Sequence, residues 1–251
     1  MAGHSHWARI KHKKAATDAR RGRLWSKLAR NIMVAAKRGA DPADNLSLRY
    51  AIDKARQANM PRDTIENAIK KGSGGGEGSN FETVYYEGYG AGGVAILAEA
   101  MTDNRNRTAP EVKKIFERHN GSVGAANCVK WMFASKGQVT VPVADADEDT
   151  IAGIALEVGA EDYTQADDVW EISCEPAVFE PLREAVSKAG ITPASADLAM
   201  VPSNTVQVDA ENGRKLLALV EALEEHDDVQ NVYANFEIPD DVMASIGGGA
   251  G

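Results

Sequence analysis

Lys11, Lys13, Lys14, Arg20, Arg21, Arg23, Lys27 and Arg30 hold the clearest chemistry in the sequence, ion pairing to phosphate. Across residues 1–38 eleven Lys or Arg stand against Asp18 alone. A merely solvated surface mixes its signs along each helix, whereas a one-signed stretch calls for a partner of opposite charge. Each phosphate neutralised in this way releases a counterion, so such binding weakens steeply with salt. Trp7 lies among these cations. Its indole has two readings: stacking on a base, worth about 1–3 kcal/mol, or anchoring the basic arm to the domain behind it.

A second, smaller constellation is "TDNRNRT", residues 102–108. Arg105 and Arg107 stand ahead of an expected helix start, where guanidinium groups and free backbone amides can meet one anion together. In the alternative reading, Asp103, Asn104 and Asn106 cap the strand end and the arginines pair with local carboxylates. The two arginines are therefore secondary anion-binding candidates.

Other motifs do not carry the chemistry they resemble. Gly88, Gly90 and Gly93 match G-x-G-x-x-G, but "VAILAEAM" after them is an uncapped strand where a dinucleotide site needs a helix N-terminus. A hairpin turn is expected there instead. "GSGGGEGS" lacks the Gly-Lys-Ser/Thr ending of a phosphate loop. Asp145, Asp147 and Asp149 begin like a calcium loop, yet Thr150 replaces the turn glycine and Leu156 the bidentate glutamate. His4, His6 and His12 sit among cations that would repel a metal, and His119 reads as a structural histidine on an apolar helix side. Cys128 and Cys174 lack the number and spacing of a disulfide framework or zinc site and read as small buried apolar residues. No nucleophile, base or paired-carboxylate arrangement can be assembled from spacing, so no enzyme, metal, cofactor or small-molecule substrate is expected.

The elements that must position these residues follow from periodicity. Residues 17–71 read as three helices. On the first, Leu24, Trp25, Leu28, Ala29, Ile32, Ala35 and Ala36 share an arc of roughly 140°, while Arg20, Arg23, Lys27, Arg30, Lys37 and Arg38 crowd roughly 100° on the far side. The second helix runs from about Asn45 to Ala58. Pro61 opens the third, and Gly72 is expected to stop it. The Gly/Ser-rich run at 73–80 reads as a flexible linker.

Beyond it the period turns extended: "FETVYYEGYG" and "GVAILAEAMT" as two strands, a helix opened by a Thr108/Glu111 capping box, and "CVKWMFA" as a strand. A βαββαβ series starts at Gly137, and "TVQV", an apolar helix and the strand "VQNVYANFEI" close the chain. The expected fold class is α+β multidomain, a three-helix domain followed by two α+β, ferredoxin-like domains with one inserted in the other. The expected cuts are 1–72, 80–135 plus 204–240, and 136–203, with 241–251 as a disordered tail; sequential domains with another cut are the alternative.

Composition agrees with a folded chain of several domains: 251 residues, 43% apolar, formal net charge −9. The charge is split. Residues 1–71 hold 17 Lys+Arg and 6 Asp+Glu, net +11, whereas the remainder holds 11 and 31, net −20. Opposite signs front and back point to a nucleic-acid or acidic partner for the front. With neither an apolar run of eighteen residues nor a basic start followed by an apolar core, no membrane span or secretory signal is expected, and a cytoplasmic location is.

The blocks "AGHSHWARIKHKKAATDARRG", "NLSLRYAIDKARQANMPRDTIENAIKKG" and "YEGYGAGGVAILAEAMTDNRNRTAPEV" closely resemble the YebC/PmpR family of probable transcriptional regulators over nearly the full chain. The resemblance implies a cytoplasmic protein with a helical N-terminal domain and two α+β domains. It places the family's basic opening on Lys11, Lys13, Lys14, Arg20, Arg21 and Arg23, and its "TDNRNR" loop on Arg105 and Arg107. Relatives of the family include a mitochondrial translational activator. Two departures stand out: His6 replaces a usual Lys, and "AANCVKWMF" differs from the family's Gly-Ser-Val approach to that strand. The expected function is non-enzymatic nucleic-acid binding in gene regulation, as a DNA-binding transcriptional regulator. The alternatives are a translation factor on structured RNA, including ribosomal RNA, and a protein-interaction adaptor.

Overall fold

Spacing of three and four between apolar residues makes the first described segment helical. The computed structural model describes residues 18–74, 81–166, 168–239 and 242. Helices α1 (Asp18–Ala36), α2 (Leu46–Gln57) and α3 (Arg62–Ser73) enclose a core of Leu28, Ile32, Ala36, Leu48, Ile52, Ala55, Met60, Ile65 and Ala68. Each Leu, Ile or Met among them contributes about 1.5–3 kcal/mol on full burial. Leu24, expected in the packing arc, is 47% exposed. Trp25 is part of the packing and donates its indole N–H to Ala58 O (3.0 Å). Asn45 caps α2 and donates to Ala35 O (2.8 Å) and Gly39 O (2.7 Å), which ties the end of α1 to the start of α2.

Gly72 does not stop α3 but lies within it. A Cβ built there would come within 2.3 Å of Met33 O and 2.9 Å of Ala36 Cβ, so the glycine lets α3 lie directly against α1. Gly22 likewise lies inside α1.

The next layer opens with a hairpin of β1 (Glu82–Tyr89) and β2 (Ala95–Thr102), turned through Gly92 and Gly93, both with positive φ. The G-x-G glycines meet packing needs: a Cβ at Gly88 would lie 2.4 Å from Ser122 O, and one at Gly90 2.6 Å from Leu216 Cδ2. Helix α4 (Arg105–Arg118) follows, then the short β3 (Ser122–Val123). The chain now enters a βαββαβ unit of β4 (Phe133–Pro142), α5 (Glu148–Val158), β5 (Asp162–Ala166), β6 (Val169–Cys174), α6 (Phe179–Lys188) and β7 (Ser195–Pro202). Its sheet is antiparallel in the order β5-β6-β4-β7, with Val139, Val141, Trp170, Ile172, Ile151, Phe179 and Leu182 buried.

After β8 (Val206–Gln207), helix α7 (Ala210–Glu225) and β9 (Val229–Ala234) return to the earlier layer and complete its sheet in the order β3-β1-β2-β9. β10 (Phe236–Glu237) then pairs in parallel with β8. The fold is thus α+β with one α+β domain inserted in another. By contact, the described residues 18–74 and 81–129 together with Val208–Ala234 make one compact unit, which includes the three-helix bundle, and Lys130–Gln207 with Asn235–Ile238 make the second.

Three elements differ from expectation. "CVKWMFA" is not one strand: Lys130–Met132 form a 3-10 turn, and β4 starts at Phe133 because Phe133 already pairs with Pro202 of β7. "VQNVYANFEI" divides at Asn235 between two sheets. Helix α4 starts a turn before the predicted capping box, with Asn104 as the cap accepting from Arg107 N. Thr108 is then an interior, fully buried position of that helix. The expected tail after Met243 lies outside the described residues.

Candidate nucleic-acid interface

Trp7, Lys11, Lys13 and Lys14 lie outside the described residues. Arg20 and Arg21 fall in the first turn of α1, where only the backbone is described. Arg23, Lys27 and Arg30 recur at i, i+4 and i+7, so they share one side of α1. That side does not stand open as a cationic stripe. It meets the C-terminal end of α7 and the turn after it: Arg23 Nη2 is 3.9 Å from Glu225 Oε1, and Lys27 Nζ donates to Glu224 O (2.5 Å). Arg30 donates to Asp227 O, and its Nη1 is 3.5 Å from Asp228 Oδ1. The Arg30 guanidinium also sits over the Phe81 ring at 5.7 Å from its centroid. The physical reason is complementarity: a helix C-terminus presents carbonyls without intrahelical donors and a partial negative charge, and here Glu224, Glu225, Asp227 and Asp228 add to it.

Asp228 is the node of this contact, with its side chain 4% exposed. It accepts from Arg107 Nη2 (2.7 Å) and from Thr108 Oγ1 (2.7 Å), which in turn lies 2.7 Å from Thr102 Oγ1. Asp228 N donates to His226 Nδ1 (3.1 Å), which leaves the imidazole proton on Nε2, directed at Glu111 Oε2 3.0 Å away. Burial alone would raise the Asp228 carboxyl, but the bonds from Arg107 and Thr108 and the charges of Arg107 and Arg30 outweigh it and hold it below the usual carboxylate range.

The secondary candidates are also engaged. Arg105 pairs with Glu82 through its Nε and its Nη2, the latter 2.6 Å from Oε2, and Arg107 bonds Asp103 (3.1 Å) as well as Asp228. In this structure the two arginines pair with local carboxylates, the arrangement of the alternative reading. The earlier start of α4 decides it, because Arg105 and Arg107 become helix residues that face Glu82 and Asp228. Periodicity missed the acidic turn "EEHDD", residues 224–228; its one sequence signal is a charge cluster opposite in sign to the 23/27/30 spacing.

Cations that make no ion pair among the described residues include Arg38, Lys70 and Lys71, all exposed. Arg56–Asp53 (3.6 Å) and Arg62–Glu66 (2.6 Å) are exposed pairs, worth about 0–1 kcal/mol and readily exchanged for phosphate. The described bundle, residues 18–74, carries 13 Lys+Arg against 6 Asp+Glu and so remains cationic. The other motifs resolve into structural roles. Asp147 caps α5, accepting from Thr150 N (2.9 Å), and His119 Nδ1 contacts Ile115 O (2.9 Å). Cys174 is buried and Cys128 half-buried, neither is in a disulfide among the described residues, and burial pushes both thiols up. Among the described residues no three His, Cys, Asp or Glu side chains cluster as metal ligands, and no helix is long and apolar enough to cross a membrane.

Comparison with known proteins gives a consistent answer. Residues 5–75 match a family model described as the TACO1/YebC protein N-terminal domain, and residues 81–236 one described as the TACO1/YebC second and third domain. A protein of Hahella chejuensis named "Probable transcriptional regulatory protein" is 51% identical over 99% of this chain and 100% of its own length. A protein of the same name from Natranaerobius thermophilus is 51% identical over 97% of this chain and 99% of its own. The crystal structure of a conserved hypothetical protein from Aquifex aeolicus superposes with a TM-score of 0.85 at 48% identity, covering 94% of this chain and 98% of that one.

Proposed function

The chain belongs to the TACO1/YebC family, and from that premise we propose that it is a non-enzymatic, DNA-binding regulator of transcription whose N-terminal domain supplies the phosphate contacts. The observation that carries this reading is the charge split: net +11 in residues 1–71 against net −20 behind them. Relatives spanning the whole chain carry the name probable transcriptional regulatory protein, which supports regulation as the role. The basic arm, with Lys11, Lys13 and Lys14, and the first turn of α1, with Arg20 and Arg21, grip the backbone. Arg38, Lys70 and Lys71 extend the cationic surface, and Trp7 stacks or anchors. The acidic remainder is repelled by the same polyanion and stays away from it.

The test is fluorescence anisotropy with a labelled duplex across a salt series. With about six phosphates engaged, affinity falls roughly a thousandfold between 50 and 200 mM salt. Reversing Lys11, Lys13, Lys14, Arg20 and Arg21 to Glu abolishes binding while circular dichroism stays unchanged. Binding that survives this reversal overturns the assignment of the surface. Structured RNA that outcompetes every duplex replaces DNA with RNA as the partner.

A further inference from the structure

We propose that the acidic turn closing α7, Glu224–Asp228, is an internal stand-in for a phosphate backbone, which a bound polyanion displaces to reach Arg23, Lys27 and Arg30. This rests on the nucleic-acid reading of the N-terminal domain and adds a built-in competitor to it. Along one side of α1 the three cations meet the Glu225 and Asp228 carboxylates and the carbonyl oxygens of Glu224 and Asp227. Oxygen acceptors of negative or partly negative charge, spaced along a helix side, present the same chemistry as successive phosphates.

Lys27 and Arg30 hold the Glu224 and Asp227 carbonyls closely, and the carboxylate contacts are the loose ones. Arg23–Glu225 is long, 3.9 Å, between side chains 40% and 57% exposed, and Arg30–Asp228 is 3.5 Å. By contrast, Arg107 and Thr108 each hold Asp228 at 2.7 Å. When α1 moves off, Asp228 keeps a guanidinium and a hydroxyl, so no buried carboxylate is left unpaired, the circumstance that makes breaking most buried pairs costly. Among their contacts, Lys27 gives up the Glu224 carbonyl oxygen, and Arg30 the Asp227 carbonyl and a share of the Asp228 carboxylate. A phosphate offers each a full charge in return. The exchange is therefore favoured by a polyanion and by nothing neutral.

The experiment measures duplex binding and Lys27 acylation by an amine-reactive ester, read by mass spectrometry, in the full-length protein. Glu225→Gln tightens binding about fivefold, and Glu225→Gln with Asp228→Asn about tenfold. Glu211→Gln, which removes the same charge from the opposite end of α7, leaves binding unchanged. Lys27 acylation rises in the double variant and drops below the wild-type level when the duplex is added. Unchanged affinity in the α7-end variants, an equal gain from Glu211→Gln, or Lys27 reactivity indifferent to DNA each overturns the proposal. Wild-type protein that binds no nucleic acid overturns the functional reading instead, so the two failures are distinct. If the double variant loses its folded dichroism, Glu225→Gln and the wild-type acylation footprint still decide.

Discussion

Asp228 joins α1, α4 and the end of α7 through a single carboxylate. Removing it takes the buried acceptor away from Arg30, Thr108 and the half-exposed Arg107, so Asp228→Ala costs about 3 kcal/mol in urea denaturation, and Asp228→Asn less. Its titration has a defined sign. The carboxyl is depressed in the folded protein, so its contribution is present above the ordinary carboxylate value, about pH 3.9, and lost as pH falls through the lower folded value. Below about pH 4 the wild-type melting temperature should fall more steeply than that of Asp228→Asn; parallel curves would remove this role from Asp228. At Gly72 two effects oppose each other. Alanine gains about 1 kcal/mol of helix propensity, but its Cβ would lie 2.3 Å from Met33 O, and such overpacking costs about 1–3 kcal/mol. Backbone cannot swing aside as a side chain does, so Gly72→Ala destabilises the bundle, as its unfolding midpoint will show.

Among the elements, β1 holds more than its hydrogen-bonded neighbours. The buried Glu87 carboxylate accepts from Asn127 N (2.7 Å) and Val129 N (2.9 Å), fixing the loop that leads toward the inserted unit. Glu87→Ala leaves two amides without partners and costs about 1–3 kcal/mol, measured by denaturation, with faster amide exchange at Asn127 and Val129. The glutamate that organises this loop lies 40 residues upstream of Asn127. Helices and hairpin were legible because their causes are local: Asn45 as a cap, Pro61 at a helix entrance, and glycines where the chain reverses between β1 and β2. The start of α4 was not, since Thr108 and Glu111 have the spacing of a capping box but are drawn to Asp228 and His226 instead. The division of the last strand at Asn235 was equally hidden, because an apolar run does not say how many sheets it serves.

For the molecule as a whole, a segment that returns late in the chain completes the first α+β layer. β9 pairs with β2, and α7 buries Leu216, Leu219, Val220 and Leu223 within that layer. Ending the chain after Gln207 therefore strips that layer of a strand and a helix, uncovering Ile96 and Phe116. The expected product binds a hydrophobic dye and loses the near-ultraviolet dichroism of the first unit, while Trp170 of the inserted sheet keeps its own. Full dichroism in the truncated chain would show that the layer does not need its return segment.

By itself the sequence determined the number and type of most elements, the insertion of one α+β domain in another and the segregation of charge, because periodicity, turn chemistry and composition act within a few residues of one another. Only the tertiary structure decided which cations face the chain's own carboxylates. Arg30 and Asp227 are 197 residues apart, and nothing local to either announces the other. Coulomb attraction depends on distance in space, and the fold sets that distance.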